Sequence, residues 1–154
     1  MNDKEFKERT EDAKQAAQQL CDSYYECLDK KRHQIHRMYA ESSILIYDGK
    51  RLKSQDEIKK QLNDGDDSNH RYDEVIRQFL TRYRIETLDV QPVDDSMTDG
   101  KSSFLISAAG SVRFGTKSAI QKVFNHHFVV AKVDGHLKII SQTVRHFSEI
   151  ERRR

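Results

Sequence analysis

Phe124-Asn125-His126-His127-Phe128-Val129-Val130 reads as a β-strand with two unlike faces. Side chains alternate across a strand, so Phe124, His126, Phe128 and Val130 share one side, and Asn125, His127 and Val129 share the other. The first side is aromatic and needs a cover, while the second is small and polar and can face water. The division continues into the neighbouring strands. Asp134-Gly135 is a two-residue turn signal that returns the chain into Leu137–Phe147, where Ile140 and Val144 fall opposite Ser141, Thr143 and Arg145. Upstream, Phe104–Phe114 carries Ser107, Ala109 and Ser111 at period two. One sheet is expected, with an aromatic face and a face of small polar residues around a central arginine.

The cover for the aromatic face comes earlier in the chain. Across residues 10–30, Ala13, Ala17, Leu20, Tyr24 and Cys27 or Leu28 recur at spacings of three and four, the stripe of an amphipathic helix. Asp29 offers an N-cap for a second, shorter helix through Ile35, Met38 and Tyr39. Ser43–Tyr47 is a strand, Asp48-Gly49 turns it into Arg51-Leu52, and Ser54 with Glu57 forms a capping box for a helix over 55–63. A polar loop over 63–69 precedes a helical stretch near Tyr72–Leu80. Tyr83–Val90 is a strand that should stop at Gln91-Pro92, and polar turns at Asp94–Lys101 and Gly115-Thr116-Lys117 separate the strands that follow. Helices first and long strands afterwards predict an α+β fold: a curved antiparallel sheet forming a cone, with helices packed on one face. A single domain is expected over residues 1–154, with flexible ends at 1–8 and 151–154 and a polar insertion at 64–71.

Composition narrows the function. Lys and Arg total 27 against 25 Asp and Glu, a net charge of +2, and Arg152-Arg153-Arg154 is a dense basic run at the C-terminal end. Sequence-specific nucleic-acid binding normally needs a basic face, so none is expected. No apolar run approaches the ~20 residues of a membrane span, and Met1–Glu5 lacks a secretory pattern. The expected setting is the cytosol or nucleus. Cys21 and Cys27 lie about 9 Å apart along one helix, beyond disulfide reach, and read as reduced packing residues.

Few residue clusters suggest chemistry. Asp29, His33 and His36 share a helix face, but no fourth ligand lies near them, so an exposed face is the better reading and no metal or cofactor is expected. The acidic loops at Asp64-Asp66-Asp67 and Asp94-Asp95 lack calcium-loop spacing. One of Tyr24 and Tyr25 belongs to the core rather than to a pocket for phenylalanine side chains. His126 faces the interior, where a histidine base needs an orienting partner. No acid shares its parity, so it reads as a hydrogen-bonded structural histidine.

Several of these blocks, taken in order, resemble the nuclear-transport-factor-2-like family. Tyr24-Tyr25-Glu26-Cys27-Leu28-Asp29-Lys30-Lys31-Arg32 with Met38-Tyr39 is similar to its opening helices, and Ser43–Gly49 with Leu52 to its first hairpin. Asp89–Val93, Gly110-Ser111-Val112-Arg113-Phe114, Phe124–Phe128 and Val144-Arg145-His146-Phe147 are similar to its later strands. The segment 60–75 is longer than the family pattern, and His126 stands where glutamine is common. Within the family the likeness is to the export-cofactor branch. That implies a non-enzymatic adaptor in nuclear export of mRNA, forming a heterodimer with the similar domain of a large mRNA export receptor. It also implies residence in the nucleus and nuclear pore, shuttling to the cytoplasm, with phenylalanine-glycine nucleoporins engaged mainly through the partner. Arg145 is expected to meet a partner carboxylate, with Ser107, Ala109, Ser111, Asn125, His127, Ser141 and Thr143 around it. Gly115-Thr116-Lys117-Ser118 carries no carboxylate, which disfavours binding to Ran-GDP. Two alternatives stand beside this reading: a homodimeric Ran-GDP transport factor, and a small cone-cavity enzyme of isomerase or dehydratase type using His126.

Overall fold

A computed structural model describes residues 2–64, 81–94, 103–114 and 120–148. The chain opens with α1 (Asp3–Lys30), followed by a 3-10 helix (Arg32–Met38) and the hairpin β1 (Tyr39–Tyr47) and β2 (Lys50–Lys53). Next come α2 (Ser54–Lys59), which widens into a π turn over Lys60–Asp64, and the strands β3 (Thr81–Val93), β4 (Ser103–Phe114), β5 (Ile120–Val133) and β6 (His136–Ser148). The expected helix near Tyr72–Leu80, the loop at 64–71 beyond its first residue, the loop at 115–118 and the basic tail lie outside the described residues, as does the turn at 95–101.

All six strands join one sheet in the order β2-β1-β6-β5-β4-β3. β3 through β6 form an antiparallel meander, and β1 lies along the far side of β6 in parallel, so the sheet is mixed rather than wholly antiparallel. The parallel pair arises because the β1–β2 hairpin is made first and the meander returns to it only with its last strand.

α1 begins earlier than its stripe indicates. Asn2 caps it by accepting a 2.8 Å bond from the Glu5 amide, and Asp3 and Glu5 sit at the positive end of the helix dipole. Part of the stretch expected as a flexible end is therefore helical. Ala13, Ala17, Leu20, Cys21, Tyr24, Tyr25 and Leu28 are buried against the sheet, so both tyrosines of the pair enter the core. On the sheet side, Phe124, His126, Phe128 and Val130 are fully buried, as strand parity requires. A closed polar ring joins the two layers. Tyr39 donates to Gln142 Oε1, Gln142 Nε2 donates to the Tyr24 oxygen at 3.0 Å, and Tyr24 and Tyr39 hydroxyls meet at 3.0 Å. Every polar atom of this buried trio is thereby occupied in a region where an unmet one costs ~1–3 kcal/mol.

Four local expectations are corrected. α1 continues through Asp29, which caps nothing; its carboxylate accepts from Thr81 Oγ1 at 2.8 Å and from the Tyr83 amide at 3.2 Å, fastening the helix end to β3. At α2 the Ser54 side chain makes no cap bond, and Glu57 reaches back to the Lys53 amide at 2.6 Å instead. β3 runs on through Pro92 to Val93, which an edge strand permits because the missing N–H can lie on the side away from β4. In β6 the register slips so that Val130 pairs with Ile139 and Val129 with Ser141. This bulge turns Ile139 inward and leaves Ile140 half-buried, whereas uniform alternation puts Ile140 beside Val144.

A candidate partner-docking face

α1 covers one side of the sheet, and the register assembles the other. Ser107 on β4, His127 on β5 and Thr143 on β6 stand in a row that continues to Ile46 on β1. The next row is Thr87, Ala109, Asn125 and Arg145, and beyond it come Ser111, Val123 and Phe147. On the opposite flank Leu105, Val129, Ser141 and Ile44 line up. All the residues expected around Arg145 thus share one surface. His127, Ser141, Thr143 and Arg145 are exposed, and Ser107, Ala109, Ser111 and Asn125 are half-buried.

The polarity of this face has a pattern. The centre holds hydroxyls, an amide and an imidazole, with Ser107 Oγ 3.0 Å from His127 Nδ1. Arg145 stands opposite Asn125, and among the described residues it has no hydrogen bond or ion pair. Apolar side chains flank the polar centre on two sides. Phe147 is 44% exposed, with Val123 beside it, Leu105 is 39% exposed on the opposite flank, and Ile44 and Ile46 are exposed along β1. Sequence reasoning passed over these flanking residues because it weighed small and charged groups alone. The signal was present: Leu105, Val123 and Phe147 share the period-two parity of Ser107, Asn125 and Arg145. A surface with a guanidinium ringed by small residues and flanked by exposed large apolar ones suits another sheet, since small side chains permit close approach and the apolar flanks exclude water.

The interior alternative centres on His126. Its ring stacks on Tyr25 with planes 7° apart and lies 4.5 Å from the Phe124 ring. Nδ1 is 2.7 Å from the Tyr25 hydroxyl, and Nε2 has no partner among the described residues. Burial drives its pKa well below the usual 6.5, with the nearby His146 and His127 adding to the effect, so the ring is neutral. Tyr25 orients it, and no carboxylate does so among the described residues. The buried histidine that does hold a carboxylate is His146: Asp48 accepts from its backbone amide at 2.7 Å and pairs with its Nδ1 at 2.8 Å. Because Asp48 also donates its own amide to the Val144 carbonyl at 2.9 Å, this contact staples the β1–β2 turn to β6.

The helix-face trio is not brought together. The α-helix ends at Lys30, His33 is exposed beside Gln34, and Asp29 is engaged with β3. No group of three possible metal ligands occurs among the described residues. Cys21 and Cys27 are free thiols.

A single sheet backed by helices on one side, with an arginine at the middle of the face that no described element covers, defines an α+β fold of the cone type. The chain belongs to the nuclear transport factor 2 (NTF2) domain family, whose sequence profile matches residues 16–146. It is similar to human NTF2-related export protein 2, 28% identical over 127 residues, covering 82% of this chain and 78% of that protein. Among solved structures it resembles a chain from the complex of a Sac3N peptide with Mex67:Mtr2, with TM-score 0.64 and 18% identity over 88% of this chain and 99% of the other. It also resembles a protein from Novosphingobium aromaticivorans described as a scytalone dehydratase, with TM-score 0.69 and 15% identity over 96% and 93% of the two chains. At such identities the two structures share the fold, which hosts binding proteins and enzymes alike.

Proposed function

We propose that the chain is a non-enzymatic adaptor in nuclear export of mRNA, acting as one half of a heterodimer with the similar domain of a large export receptor. The observation that carries this reading is Arg145, exposed and without a described partner, on a sheet face that no described element covers and that has apolar flanks. A planar guanidinium there offers two parallel hydrogen bonds to a carboxylate of an opposing sheet. The likeness to NTF2-related export proteins, and to a chain from Mex67:Mtr2, supports export as the setting and a different chain as the partner. The adaptor then works in the nucleus and at the nuclear pore and returns to the cytoplasm with the receptor. The receptor makes most contacts with phenylalanine-glycine nucleoporins. Ran-GDP is not a partner, because Gly115-Thr116-Lys117-Ser118 has no carboxylate to offer it. The enzyme reading is weaker, since His126 is neutral, enclosed and oriented by a tyrosine rather than an acid.

The test is the mass of the complex recovered with the tagged chain under native conditions. A one-to-one complex with a larger NTF2-domain protein is the expected outcome. A homodimer that also binds Ran-GDP saturably in calorimetry would replace the adaptor with the transport-factor reading.

A further inference from the structure

β3 and β4 make an unusually close approach at Gly110. A side chain begun there would place its Cβ 1.9 Å from the Arg84 carbonyl oxygen and 3.0 Å from the Glu86 amide nitrogen, so only glycine admits it. At this point the register slips: Ile85 pairs with Gly110 and Thr87 with Ala109, leaving Glu86 as the extra residue of a β-bulge. Bulges re-aim side chains, and they concentrate where a strand must present one. Glu86 is exposed and makes no hydrogen bond or ion pair among the described residues.

Across from the bulge, α1 presents Gln18, Cys21, Asp22 and Tyr25, which share one helix face. Between helix and bulge lies a cleft of ≈ 420 Å³, within the ~300–1,000 Å³ of pockets that hold ligands. Its floor is apolar: Ile85 is 37% exposed there, beside half-buried Leu88 and the Tyr25 ring. Its rim carries the carboxylates of Glu86 and Asp22, and among the described residues no lysine or arginine lines it. Asp22 accepts from Gln18 Nε2 at 3.0 Å, which fixes its carboxylate at the rim.

We propose that this cleft is a second binding site, which takes a short extended segment of another protein bearing an arginine or lysine next to an aliphatic residue. The cationic head meets the Asp22 and Glu86 carboxylates, and the aliphatic neighbour covers Ile85 and Leu88. A peptide suits the place better than a compact ligand, because the cleft runs along β3, the last strand in the sheet order, where an extended chain can lie. The site lies between α1 and β3 and shares only Thr87 with the Arg145 face, so it does not depend on that reading.

The test uses the full ¹⁵N-labelled chain and the peptide Ac-Ser-Leu-Arg-Leu-Ser-NH2, with Ac-Ser-Leu-Glu-Leu-Ser-NH2 as control. Saturable amide shifts confined to the segments around Cys21 and Glu86 are expected with the basic peptide, weakening as salt rises. Glu86→Gln and Asp22→Asn should each weaken binding about threefold, the scale of an exposed ion pair, with unchanged melting temperature. The proposal fails if the acidic peptide binds equally, if the shifts fall elsewhere, or if none saturate by roughly 10 mM, where even millimolar affinity is visible. It also fails if a chain ending at Ser148 moves the cleft amides relative to the full chain, because the chain's own Arg152-Arg153-Arg154 then fills the cleft.

Discussion

At the scale of single residues, His126 converts burial into a pH response. Its folded-state pKa is depressed by desolvation, so unfolding takes up a proton at any pH between the folded and unfolded values. Stability is therefore full above the ordinary imidazole value of about 6.5 and falls as pH drops below it, by up to about 1.4 kcal/mol per unit. His126→Gln keeps a hydrogen-bonding group for Tyr25 and removes the titration. Its melting temperature should stay near wild type at neutral pH and decline less steeply than wild type toward about pH 5. An unchanged slope would assign the acid sensitivity to other groups, and isomerase or dehydratase turnover lost in the variant would restore the enzyme reading. Parity alone put His126 inside, because alternation within one strand is a local property. Its bond to Tyr25 was not legible, since the two residues lie 101 apart in sequence.

At the scale of elements, the joints between strands carry the cost of change. Asp48 accepts two hydrogen bonds from His146 and turns the β1–β2 corner at φ 47°, a conformation Asp tolerates better than most residues. Asp48→Ala loses both bonds and leaves the His146 amide without its acceptor, so urea unfolding should show a loss of about 2 kcal/mol. Gly110→Ala forces the β3 and β4 backbones apart at the bulge and should cost about 2–3 kcal/mol, or prevent folding outright. A neutral result would mean that the bulge relaxes freely, and it would remove the geometric basis of the acidic cleft. The Asp48-Gly49 and Asp134-Gly135 turns were readable because turn chemistry is written in adjacent residues. The bulges at Glu86 and Ile140 were not, because an extra residue declares itself only against the partner strand. For the same reason the parallel pairing of β1 with β6 escaped the reading of consecutive elements.

At the scale of the whole molecule, the question is what the sheet face that no described element covers is for, and Arg145 offers the test. The face was legible as a set because three strands repeat the same alternation, whereas its apolar flanks were overlooked. If Arg145 meets a carboxylate near the middle of a sheet-on-sheet contact, the pair is largely desolvated. Removing one member strands the other charge, at a cost of about 2–5 kcal/mol in binding. Arg145→Asp should be worse than Arg145→Ala, because it sets two negative charges against each other. The fold should survive either change, since Arg145 lies outside the core and supports no described contact. Phe147→Ser should also weaken pairing by removing apolar area at the flank, but without the sign dependence that a charge reversal reveals. Co-expression with the receptor domain, read by co-purification and by thermal unfolding of each variant alone, separates the outcomes. Lost pairing with an intact fold is the expected result. Unchanged pairing of Arg145→Asp would remove the carboxylate contact from the docking reading, and a collapsed fold would assign Arg145 to an internal ion pair with residues outside the described segments.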